Sequence, residues 1–198
     1  MTLLAGFDSA WTPRNSGALA EDLVADWQTK FQPDSTVILL DQPTVVRNHD
    51  GQRPVERIVS STAGATLVFE TYPVLALISL GWTLPGPRDP GRLPNHDPQR
   101  TKTFCIDDWS HVCNLAAGAF RSRGMKLLCG WAEQAAVKPN PRKSDQDCLD
   151  ACLCLLVALH MAEGGDCLMA GDTQAATSWC RTAPPLPSNS KRAATLPA

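Results

Sequence analysis

A chain of 198 residues with 43% hydrophobic content is long enough for one domain with a real core. Its formal net charge of −2 and pI near 6.1 exclude a general basic field, so any nucleic-acid contact requires a local basic patch. No stretch approaches the roughly 18 apolar residues of a membrane span, and the opening MTLLAGFDSAWT has no basic region followed by an apolar run, so a cytoplasmic protein without membrane contact is expected.

Leu3–Phe7 is a short apolar run ending on Asp8, and it predicts a strand that presents a carboxylate at its end. A turn follows through Pro13 and Asn15, with at most a stub of extended chain at Gly17–Leu19. From Leu19 the pattern becomes helical, with Leu19, Leu23, Trp27 and Phe31 on one face and Pro33 as the stop. Thr36–Leu40 is aliphatic and β-branched without polar alternation, which predicts a central strand covered on both faces and ending on Asp41. Residues 44–57 are loop-like and include Arg53. Ala65–Phe69 repeats the strand pattern and ends on Glu70, and Val74–Leu80 predicts a short helix stopped by Gly81.

Residues 83–103 form a long loop rich in proline and charge, in which Arg88, Arg92, Arg100 and Lys102 make the best candidate patch for a phosphate backbone. A helix opens at Asp107 and Asp108, buries Trp109, Cys113, Ala116 and Phe120, and stops at Gly124. Another covers roughly Lys126–Val137 with Leu127, Leu128, Trp131 and Ala135 inward. Ser144–Glu163 predicts a buried helix of about five turns that starts on Ser144 and Asp145, residue types that satisfy free amides. Residues 181–198 are rich in proline and alanine and are expected to be disordered.

Eight cysteines contain no Cys-x-x-Cys pair, and Cys105, His111 and Cys113 match no common structural zinc spacing. His49, His96, His111 and His160 sit in no nucleophile motif. The carboxylates are more informative. Alternating strands and helices imply an α/β sheet, whose ligands gather beyond the carboxyl ends of the strands. Three runs end on Asp8, Asp41 and Glu70, while Asp147 and Asp150 stand three apart on one face of the last helix. Two carboxylates about 4 Å apart repel by ~1 kcal/mol in water and ~4 kcal/mol at an effective dielectric near 20. Converging acids therefore take up protons, spread apart or bind a hard dication, and oxygen ligands favour Mg2+ or Mn2+. Carboxylate-held ions of this kind serve phosphodiester cleavage.

The segments GFDSAWT (6–12), LLDQPT (39–44), GQRPVERIVSS (51–61), ETYPVLALISLGWTLP (70–85), RKSDQDCLDACLCLLVALH (142–160) and GDTQ (171–174) resemble the bacterial and archaeal family called domain of unknown function 429. The Asp-x-x-Asp-Ala run at 147–151 is also similar to the last-helix motif of Holliday-junction resolvases. The resemblance implies an RNase H-like fold over residues 1–180: a small mixed sheet flanked by helices, with part of the N-terminal antiparallel strands missing. It also implies a metal-dependent nuclease acting on DNA or RNA, with Asp8, Asp41, Asp147 or Asp150 as catalytic metal ligands and Glu70 as a plausible fourth. Arg53, Arg92, Arg100 and Lys102 are the expected nucleic-acid contacts. The alternative is a non-catalytic member that binds a nucleic acid or protein partner. A phosphotransferase of the actin-like fold is a third reading, but that fold needs two domains and glycine-rich phosphate turns after its first strand, where Ser9-Ala10-Trp11 follow Asp8 in this short chain.

Overall fold

The computed structural model describes residues 1–8, 16–41, 65–82 and 95–165. Among these, the elements run in the order β1 (Thr2–Asp8), α1 (Ser16–Phe31), β2 (Ser35–Asp41), β3 (Ala65–Thr71), α2 (Pro73–Ser79), α3 (Ile106–Ser122), α4 (Lys126–Ala136) and α5 (Lys143–Ala162). The three strands form a parallel sheet in the order β1–β2–β3. This is an α/β fold with an all-parallel described sheet, where a mixed one was expected. Residues Gly17–Leu19, expected as a strand stub, lie in the first turns of α1.

The uninterrupted run of β2 explains its central place. Ile38 and Leu40 pack with Ala5 of β1 and Val24 of α1 on one face. Leu39 packs with Phe69, Ala76, Cys154, Val157 and Ala158 on the other, against α2 and α5. Alternate residues thus meet different layers, and only a strand apolar at every position fills both. On α1 the inward residue is Val24, and Trp27 stacks on Phe7 with ring centroids 5.9 Å apart. Phe31, expected on that face, is 46% exposed because it closes the helix beyond the edge of this contact.

The helix α5 crosses the other face of the sheet at Gly6. A Cβ placed there would lie 2.4 Å from both the Ala151 carbonyl oxygen and the Leu155 amide nitrogen, so only glycine lets the helix backbone approach this closely. Asp145 fixes the start of α5: its carboxylate accepts the Arg142 N–H at 2.7 Å and pairs with Lys138 Nζ at 2.7 and 2.8 Å.

A second core joins α2–α5 around Trp109, Phe120, Leu149, Leu153 and Leu156. The helices α3 and α4 form an antiparallel hairpin: Trp109 Nε1 donates to the Ala135 carbonyl at 2.7 Å and Ser110 Oγ to the Ala136 carbonyl at 2.6 Å. Small residues set the contact, with Ala116 and Ala117 on one helix and Ala132, Ala135 and Ala136 on the other. That alanine face turns Leu127 outward, 91% exposed, against the expectation that it lay inside. Gly81 and Gly124 have positive φ (72° and 69°) and end α2 and α3 as expected.

Candidate functional site

The strand register places Asp8 beside Asp41 and Asp41 beside Thr71. This row forms the carboxyl edge of the sheet. The strand β3 runs one residue beyond its expected end, so Glu70 pairs with Leu40, one step before the row. The side chains of Asp8 and Glu70 lie outside the described residues.

The packing of α5 at Gly6 carries its first turns toward the same edge. Asp150, next to the Ala151 carbonyl that meets Gly6, is buried. Both of its oxygens are occupied: Oδ1 faces His96 Nε2 at 3.1 Å, and Oδ2 accepts from Gln146 Nε2 at 3.0 Å. Asp147 pairs with Lys143, its Oδ1 2.7 Å from Nζ, and the charges of both reach Asp41. The ammonium is close enough for Coulombic attraction but not aligned for a hydrogen bond.

His96 is the residue that sequence reasoning missed. It is 1% exposed and belongs to a segment tied to the start of α3. The Asn95 N–H donates to Asp108 Oδ2 at 2.8 Å, and the Cys105 N–H donates to the Asn95 carbonyl at 3.0 Å. Asp108 therefore holds this loop as well as standing at a helix start. A lone histidine in a loop has no periodic signal, and the length of the 83–103 loop was the only pointer to it. Gln146 had a better one, being four residues before Asp150 and so on its face of the helix.

Asp41, Tyr72, His96, Arg100, Gln146 and Asp150 line one cavity of about 390 Å³. Burial pushes the Asp41 carboxyl up to about 7, the negative charges of Asp150 and Asp147 add to this, and Lys143 opposes it. Two side-chain atoms at the site are closed to solvent and have no hydrogen-bond partner among the described residues: His96 Nδ1 and Gln146 Oε1. Arg100 is at the rim, exposed and 3.3 Å from Asp97. Lys102 is exposed nearby, whereas Arg53, Arg88 and Arg92 lie outside the described residues. Among the described residues no three His, Cys, Asp or Glu side chains already converge as a metal cluster.

Fold and site together define an α/β protein with a buried carboxylate–imidazole–amide cluster at the carboxyl edge of a parallel sheet. Among the described residues, no helix is long and apolar enough to cross a membrane. No protein-family profile, curated protein or solved structure matches the chain.

Proposed function

We propose that the chain is a metal-dependent nuclease that hydrolyses phosphodiester bonds of DNA or RNA, an RNase H-like relative of the domain of unknown function 429 family. The observation that carries this reading is Asp41, in register with Asp8 at the carboxyl edge and held near 7 by burial and by the acids of α5. Burial and neighbouring acids make the charged form of this carboxyl costly, and a bound dication would offset that cost. The donor set suits a hard ion such as Mg2+ or Mn2+, with Asp41 and Asp8 as the first ligands and Asp147 and Asp150 adding to the negative field. When bound, such an ion contributes activation of a water and stabilisation of the leaving oxygen.

The chain's own residues supply the rest. Asp41 and Asp8 fix the position of the reacting centre at the edge of a rigid sheet. Asp150 orients His96 and Gln146. Arg100 at the rim of the cavity and the exposed Lys102 would neutralise phosphates of a bound strand, and Arg53 and Arg92, outside the described residues, are further candidates from the sequence. The test is a thermal melt with and without millimolar Mg2+ or Mn2+, paired with cleavage of labelled DNA and RNA oligonucleotides. A metal-dependent rise in melting temperature and cleavage are expected, both lost in Asp8→Asn. Identical melts with and without metal would refute the reading.

A further inference from the structure

The two unpartnered atoms at the site share one anchor. His96 and Gln146 both bind Asp150, one at each oxygen, so their side chains sit side by side over a single buried carboxylate. The chemistry of that anchor fixes what each has left. Gln146 turns its amide nitrogen to the carboxylate, because the reverse orientation would set oxygen against oxygen, and this leaves Oε1 as an acceptor. His96 uses Nε2–H on Asp150, and a neutral ring then leaves a lone pair at Nδ1. Two residues that line the cavity with Asp41 therefore each keep one enclosed, unpaired acceptor.

Acceptors alone call for a cation. Both atoms are closed to a water-sized contact, so a bulky organic donor does not reach them, while a bare ion is small enough to do so. A buried histidine with one nitrogen on a carboxylate and the other bare is also the arrangement that orients imidazole toward a metal. We infer that His96 Nδ1 is a nitrogen ligand of the divalent ion, joined by Gln146 Oε1 and Asp41, and that Asp150 is a positioning residue acting through His96. The site then discriminates between ions. A nitrogen donor favours a first-row transition dication over Mg2+, so Mn2+ is preferred. This inference rests on the metal-dependent reading above and specifies its ligand set.

The experiment uses the full chain, freed of metal by chelation and titrated separately with MnCl2 and MgCl2 in a calorimeter. The wild type is expected to bind Mn2+ at least roughly tenfold more tightly than Mg2+. His96→Ala and His96→Asn should bring that ratio to about one, and Asp150→Asn should weaken Mn2+ roughly tenfold. A second measurement needs no variant: pulsed electron paramagnetic resonance of Mn2+ on protein carrying 15N-histidine should show a directly bound nitrogen. If both ions bind but no nitrogen coupling appears, or the His96 variants keep the wild-type ratio, the inference is overturned and the metal-dependent reading stands. If neither ion binds the wild type, both fall.

Discussion

Replacing Asp41 with Asn tests the electrostatics of the site directly. The folded protein holds this carboxyl at about 7, against an ordinary value of 3.8. Between roughly pH 4 and pH 7 the native state keeps a proton that the unfolded chain releases, so the contribution of Asp41 to stability falls as pH rises through that window. Above pH 7 the carboxylate is charged in both states and its full cost is present. At about 1.4 kcal/mol per pH unit, a rise of about three pH units gives a ceiling near 4 kcal/mol. An amide of the same shape removes the charge but forfeits the attraction of Lys143. The expected gain for Asp41→Asn is therefore about 2–4 kcal/mol at pH 8, falling to near zero at pH 4. Urea unfolding of both proteins in chelator at pH 4, 6 and 8 reads this difference. A variant no more stable than wild type at pH 8, or equally favoured at pH 4 and 8, would refute the argument. Millimolar Mn2+ should reverse the order, stabilising the wild type alone.

Gly6→Ala drives a methyl group into the α5 backbone at 2.4 Å, where no side-chain rotation relieves it. It should destabilise the fold by about 2–3 kcal/mol in a urea melt and weaken metal binding by shifting Asp150. Lys138→Ala removes the partner of Asp145. Burial raises the Asp145 pKa, but hydrogen bonds from Lys138 and the Arg142 N–H outweigh it and hold the carboxyl below its ordinary value. The pair thus contributes above about pH 4 and is lost in acid, so the variant should lose up to about 1 kcal/mol at pH 7 and almost nothing at pH 2. Burial also pushes the Cys113 and Cys152 thiols up to about 12, while Cys148 is exposed. Brief alkylation of the native protein at pH 7.5 followed by peptide mapping should mark Cys148 well before Cys113 or Cys152, whose thiolate fraction is on the order of a thousandfold below that of an ordinary cysteine.

Local chemistry is enough to define the elements of this chain. The unbroken run at Thr36–Leu40 could be stable only with apolar neighbours on both faces, and β2 has them in Val24 of α1 on one and Val157 of α5 on the other. Gly81 and Gly124 end helices where a positive φ is needed. The acids at Asp8 and Asp41 were legible as strand ends, and the register makes them neighbours. These outcomes depend on preferences acting within one turn or one strand.

What lay beyond that range was decided by long-range packing. Leu127 carries the same apolar signal as Leu128, yet the alanines of α4 lie closer to α3 and turn Leu127 to solvent. Gly6 could be read only as a small residue before Asp8 until α5 came down on it. His96 owes its place to contacts 13 and 54 residues distant in sequence: the Asn95 N–H on Asp108 and its own ring on Asp150. Those same contacts changed Asp150 from an expected ligand into the group that holds one in the proposed site. Periodicity reports which residues prefer burial. Which polar atoms are then left without partners depends on how distant segments meet, and only the folded chain determines that.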